Sequence, residues 1–147
     1  MTQTSELQLD NQVCFALYAA SRALTRLYRP MLDDLGLTYP QYLVMLVLWE
    51  RETVTVKELG EALDLDSGTL SPLLKRLETT GLISRVRSAE DERSVLVRPT
   101  EAGAALRERA REVPRKIADA TGLDREGLAR FRAEVREFTA VVEGAKL

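Results

Sequence analysis

Few side chains in this sequence can do chemistry of their own, and Cys14 leads them. It is the single cysteine of a 147-residue chain that contains no histidine. A Ser-His-Asp triad, a histidine general base, a zinc site of the Cys/His type and an intrachain disulfide are therefore excluded together. What remains open to a lone thiol is oxidation or nucleophilic attack. Asp10 and Asn11 are N-cap residue types, which places Cys14 in the first turn of a helix. There the helix dipole and the unpaired N–H groups favour a thiolate. The competing role is that of a small buried apolar residue, the commonest fate of a free cysteine. Three of the four tyrosines, Tyr18, Tyr28 and Tyr39, lie close to Cys14 in the sequence, and a phenol is the hydrogen-bond donor left for a thiolate in a histidine-free chain. Tyr18 sits at i+4, on the same helix face. Tyr28 is 14 residues on, roughly 21 Å along one helix. It reaches Cys14 only from a second chain whose first helix runs antiparallel. A tyrosine-lined thiol pocket therefore requires a homodimer, and without one Tyr28 and Tyr39 are core aromatics.

A second constellation lies between Ser67 and Arg98. The chain has net charge −2 and a pI of about 5.4, unlike the usual basic nucleic-acid binder. This segment, however, holds six basic against four acidic residues. Ser67, Thr69, Ser71 and Pro72 open a helix with small groups, which permit close approach to a DNA backbone and to thymine methyls in the major groove. Lys75 and Arg76 follow on the next turn as phosphate clamps. Arg87, Asp91 and Arg93 belong to a hairpin whose tip extends to the adjacent minor groove, where Arg93 inserts into concentrated negative potential. Asp91 is placed to brace Arg93 by a charge-assisted bond. The bland alternative is that the hydroxyls are helix caps and the arginines a solvated face.

These residues need elements to hold them. A helix over Asn11 to Asp33 follows from the stripe Val13, Leu17, Ala20, Leu24, Leu27 and Met31, with a bend near Pro30 and closure at Gly36. Thr38-Tyr-Pro-Gln41 reads as a capping box opening a second helix through Glu50, and Thr55-Val-Lys-Glu58 as another, opening a short helix to about Leu63. Asp66 or Ser67 caps a recognition helix over Gly68 to Thr80. Ile83–Arg87 and Ser94–Arg98 form a β-hairpin ended by Pro99. Thr100 caps a helix to about Ala120, kinked at Pro114, and a last helix carries Leu128, Phe131, Val135, Phe138 and Val142. Met1 to Leu9 reads as a loose end. The fold class is mainly α with a small β wing, a winged helix-turn-helix. All of 1–147 forms a single domain, with dimerisation helices over about 10–35 and 101–145 and a DNA-binding part over about 38–99.

The stretch LDNQVCFALYAASRALTRLYRPMLDDLGLTYPQYLVMLVLWE, with LGEALDLDSGTLSPLLKRLETTGLI and the wing ending DERSVLV, resembles the organic hydroperoxide resistance regulators, a redox-sensing branch of the MarR family. The resemblance covers roughly Leu9 to Gly103. It implies a homodimeric winged-helix repressor that binds a palindromic operator in double-stranded DNA when reduced. An organic hydroperoxide then oxidises the reactive cysteine, matched by Cys14, to a sulfenic acid, and a peroxide-detoxification gene is derepressed. The tyrosines bonded to that cysteine match Tyr28 and Tyr39, given across the dimer, with Tyr18 nearby, and the wing arginine matches Arg93. Ser88 and Pro99 stand where the family more often has Asp and Leu. The C-terminal half has no second cysteine, so a resolving disulfide is impossible and the sulfenic acid is expected to be trapped by a low-molecular-weight thiol.

Two other functions compete. One is a MarR-type repressor released by a small phenolic or aromatic ligand, with Cys14 inert. The other is a one-cysteine peroxidase, which needs an arginine and a threonine beside the thiol. Arg22 and Thr25 are eight and eleven residues beyond Cys14 on the same helix, too far to cluster there, so no enzymatic role and no cofactor are expected. The longest apolar run, Leu43 to Leu48, is far short of the ~20 residues that span a bilayer. The N-terminus has neither a basic flank nor an apolar run, and an unpaired cysteine suits a reducing cytoplasm.

Overall fold

The first helix forms, with its ends displaced from those expected. In the computed structural model, which describes residues 5–147, α1 spans Val13–Leu35. Asp10 and Asn11 are not its caps. Both fall in a 3-10 turn, Leu9–Asn11, and the chain leaves the helical region only at Gln12 (φ −89°, ψ 114°), which gives no side-chain cap. The Gln12 amide is committed backwards, donating to the carbonyls of Glu6 (2.7 Å) and Gln8 (2.9 Å). Those bonds tie down part of the stretch read as a loose end; its first four residues lie outside the described residues. α1 continues through Pro30. It closes where Gly36 takes φ 71° and donates to the Asp33 carbonyl at 3.0 Å, a left-handed turn that costs a residue without Cβ nothing in sterics.

The next helix, α2 (Tyr39–Arg51), opens on the expected capping box. The Thr38 hydroxyl accepts from the Gln41 N–H (3.3 Å), and the Gln41 side chain accepts from the Thr38 N–H (3.0 Å). That reciprocity engages the buried side chain of Gln41, as a polar group in a core requires. α2 is buried on most sides through Tyr42, Val44, Met45, Val47 and Leu48, as a central helix must be. Around it pack Leu32 and Leu35 of α1, Leu59 of α3 (Val56–Leu63), Leu70, Leu74 and Leu77 of α4 (Ser67–Thr79), and Leu106 of α5 (Glu101–Ala110). Each such side chain contributes about 1.5–3 kcal/mol over remaining exposed.

The wing is a three-stranded antiparallel sheet, not a simple hairpin. β2 (Ile83–Arg87) pairs with β3 (Val95–Pro99), and β3 pairs on its other edge with a two-residue β1, Val54–Thr55, in the order β1-β3-β2. Val54 lies opposite Val97, and both are buried. Thr55 serves twice: it ends β1, and its hydroxyl accepts from the Glu58 N–H (3.0 Å) to cap α3. Pro99 closes β3 as its last residue opposite Ile83, where a missing N–H is least costly.

The chain divides into two compact units, the second being Arg111–Leu147. The single kinked helix expected over Thr100 to Ala120 is two helices, α5 and α6 (Glu112–Ala120), interrupted at Arg111. Pro114 has no N–H to give the Ala110 carbonyl, and its ring crowds that carbonyl, so the ladder stops there. Thr100 does cap α5, its hydroxyl accepting from the Gly103 N–H at 3.1 Å. In the second unit Asp124 caps α7 (Arg125–Glu143), accepting from Gly127 N–H at 2.7 Å. No residue of α7 is buried.

Candidate functional site

α3 and α4 form the helix-turn-helix. Asp64 ends α3 with φ 54°, and Asp66 caps α4 by accepting from the Thr69 N–H at 2.7 Å. Hydrogen bonds from Thr69 hold the Asp66 carboxyl below its ordinary range. Leu70, Leu74 and Leu77, at i, i+4 and i+7, are each 1% exposed. That stripe fixes the rotation of α4, so Ser67, Thr69, Ser71, Pro72, Lys75 and Arg76 all stand exposed. The recognition helix therefore presents the expected residues, with bounds one residue earlier than Gly68 to Thr80.

The wing is fastened to this helix by a contact the sequence reading missed. Arg85 on β2 donates from Nε (3.3 Å) and Nη2 (3.2 Å) to the two carboxylate oxygens of Glu78 on α4, and Arg85 holds the Glu78 carboxyl below its ordinary range. At the tip, Asp91 does not brace the Arg93 guanidinium. Its carboxylate accepts from the backbone N–H of Arg93 (3.0 Å) and from the Ser94 hydroxyl (3.2 Å), because a short side chain in a tight turn meets the N–H two residues on before any distant group. Ser88 does likewise, accepting from the N–H groups of Glu90 and Asp91. This is the acceptor role an aspartate would fill, so the departure at 88 leaves the turn intact. Arg87 donates to the Glu92 carbonyl at 3.0 Å. The Arg93 side chain is exposed. With Lys57 and Arg85 it borders an open cleft of about 1040 Å³ between α3, α4 and the wing.

The sulfur lies on α1, outside the helix-turn-helix. Cys14 is the second residue of α1 and is exposed. Apolar side chains stand exposed along the same helix: Val13 is 62% exposed, Leu24 40% and Leu27 42%. Tyr18 turns its ring to the Arg22 guanidinium, 5.4 Å away. Tyr28 and Tyr39 are brought together, ring centroids 4.9 Å apart, at the far end of α1 from Cys14. The sequence reading left out Tyr42, which completes this cluster at 5.8 Å from Tyr28 and 6.3 Å from Tyr39. Its signal was available: Tyr39 and Tyr42 are at i, i+3 on one helix. Burial raises the pKa of Tyr28, with the Tyr39 phenol adding to it, and burial raises that of Tyr39. Burial and both neighbours push Tyr42 up to about 12. All three remain O–H donors at neutral pH. Among the described residues there is no cluster of three or more metal-ligating side chains and no helix long and apolar enough to cross a membrane.

Capped helix pair, exposed recognition face and arginine-bearing wing define a winged helix-turn-helix transcriptional regulator rather than an enzyme. The transcriptional regulator SarA/Rot family matches residues 26–109. The organic hydroperoxide resistance transcriptional regulator of Bacillus subtilis is 60% identical over 76% of this chain and 76% of its own length. The HTH-type transcriptional regulator TtmR of Methylorubrum extorquens is 51% identical over 78% of this chain and 59% of its own. Among solved structures, reduced AbfR bound to DNA superposes with a TM-score of 0.80 at 34% identity, covering 97% of both chains. The chain belongs to the MarR family, in the branch of the organic hydroperoxide resistance regulators that carries a single cysteine.

Proposed function

We propose that the protein is a cytoplasmic repressor that senses organic hydroperoxides through Cys14 and releases DNA on oxidation. The observation that carries this reading is the division of the sensor along α1. An exposed thiol stands at one end, Tyr28 stands toward the other beside Tyr39 and Tyr42 of α2, and exposed apolar side chains lie between them. Two copies related by a twofold axis, with their α1 helices antiparallel, bury those side chains and bring Tyr28 and Tyr39 of each to Cys14 of the other. The exposed apolar residues of α7, Phe131 (53%) and Phe138 (43%), likewise serve dimerisation. Tyr18, one turn from Cys14, borders the pocket.

In the reduced dimer the two recognition helices meet successive major grooves of a palindromic operator. Ser67, Thr69, Ser71 and Pro72 face the bases, Lys75 and Arg76 the phosphates, and Arg93 the minor groove, with Arg87 and Asp91 shaping the wing. The thiolate attacks the outer oxygen of the hydroperoxide. An S–O bond forms as the O–O bond breaks, sulfur loses two electrons to become a sulfenic acid, and the departing alkoxide takes a proton and leaves as an alcohol. A low-molecular-weight thiol then condenses with the sulfenic acid, giving a mixed disulfide and water. Its bulk parts the two α1 helices and shifts the recognition helices from the ~34 Å spacing of one DNA turn, so a peroxide-detoxification gene is transcribed.

The test is a mobility shift on the DNA upstream of the protein's own gene, with and without cumene hydroperoxide, for wild type and Cys14→Ser. Wild type is expected to release the DNA, and the serine variant to bind and ignore the oxidant. Release by Cys14→Ser, or retention by oxidised wild type, would overturn the reading. The first of these outcomes favours a ligand-released repressor instead.

A further inference from the structure

The redox scheme has no use for the third phenol of the cluster, yet Tyr42 is its most buried member. Tyr28 and Tyr39 are half-buried, whereas Tyr42 is 3% exposed. Its ring lies within aromatic contact distance of both. Behind it stands Trp49, edge-on at 6.5 Å with an interplanar angle of 68°. The Trp49 indole N–H donates to the Gly103 carbonyl at 2.9 Å. Gly103 is itself closely packed, since a Cβ there would meet the Leu82 carbonyl oxygen at 2.0 Å. The Tyr42 ring is therefore the buried wall against which the two less buried phenols rest.

We propose that Tyr42 is a positioning residue: its ring, held by Trp49 and Gly103, sets the orientation of Tyr28 and Tyr39 so that their hydroxyls meet the thiolate of the opposing protomer. This rests on the reading of Tyr28 and Tyr39 as donors to that thiolate. A hydrogen-bond donor at the end of a phenol ring moves with any tilt of the ring, and a misplacement of ~1 Å can cost up to about a hundredfold in rate. The hydroxyl of Tyr42 has no part in this. Burial and its neighbours keep it protonated, and the contact is made by the ring.

The experiment measures the rate of Cys14 oxidation by cumene hydroperoxide in the purified reduced full-length protein, as a function of pH, beside the affinity of the same samples for operator DNA. Tyr42→Leu is expected to slow oxidation roughly tenfold and to move the pH profile of the rate upward, while reduced-state DNA affinity stays at the wild-type value. Tyr42→Phe is expected to oxidise at the wild-type rate, because the ring is kept. Trp49→Phe, which removes the bond to Gly103 and leaves a smaller ring behind Tyr42, is expected to show a smaller slowing, and it decides the matter if Tyr42→Leu does not fold. Wild-type oxidation in Tyr42→Leu, or a fall in DNA affinity equal to the fall in rate, would overturn the assignment. Tyr28→Phe separates the two layers. If it is slowed while Tyr42→Leu is not, only the positioning role fails; if it oxidises at the wild-type rate, the donor reading beneath fails as well.

Discussion

Replacing Gly103 by alanine puts a methyl group where the wing joins the helical body. Its Cβ would stand 2.0 Å from the Leu82 carbonyl oxygen, 3.0 Å from the Leu82 carbonyl carbon and 3.3 Å from Cε of Met45. A carbon and a carbonyl oxygen rest at about 3.3 Å or more, so something must move by over 1 Å. The methionine tip can yield. The Leu82 backbone is held from two sides, its N–H donating to Leu77 (3.0 Å) and its carbonyl accepting from Thr100 (3.0 Å). If α5 retreats instead, the Trp49–Gly103 bond lengthens. Overpacking of this kind costs about 1–3 kcal/mol, and each backbone or indole hydrogen bond lost adds about 1 kcal/mol. The sum is about 3 kcal/mol, and for a chain of this size it lowers Tm by roughly 10 °C. Thermal melts at fixed protein concentration, followed by far-ultraviolet circular dichroism and by emission of the sole tryptophan, Trp49, measure both parts. A loss of less than about 1 kcal/mol with unchanged Trp49 emission would refute the packing argument.

Two further outcomes follow from the charges and the phenols. Arg93→Ala is expected to weaken operator binding and to reduce the slope of log affinity against log salt by about 1; an unchanged slope in a salt titration removes Arg93 from the DNA contact. Because the folded pKa values of Tyr28, Tyr39 and Tyr42 lie above the unfolded value near 10, their contribution to stability is complete below that pH. It is lost as the pH rises toward about 12, the unfolded chain releasing protons that the native state keeps. Melts across this range, with phenolate absorbance read in parallel, should show tyrosine ionisation coinciding with unfolding. Full ionisation of a still-folded protein near pH 10 would contradict the burial of the cluster.

Local chemistry made much of this molecule legible before any fold was known. The reciprocal bonds of Thr38 and Gln41, the left-handed stop at Gly36, and the cap at Asp66 each involve groups within a few residues of one another. The absence of histidine pointed to Cys14 by elimination. Even here local reading erred where two short-range partners competed. Asp10 and Asn11 were absorbed by a 3-10 turn, and Asp91 chose the backbone over a guanidinium.

What only tertiary structure decided are the meetings of distant segments. β1 exists because Val54 and Thr55 find Val97 and Leu96, and two residues alone carry no strand periodicity. The Glu78–Arg85 clasp, though it joins residues only seven apart, depends on how β2 returns past α4, and Tyr42 joined Tyr28 only once α2 packed on α1. The Trp49–Gly103 bond links residues 54 apart, so no window of sequence contains it. Sequence determines caps, turns and helical faces because their energies are set within a turn or two of chain. The contacts that position the sensor and the wing come from closing long loops, an entropic cost repaid only by burying the shared core.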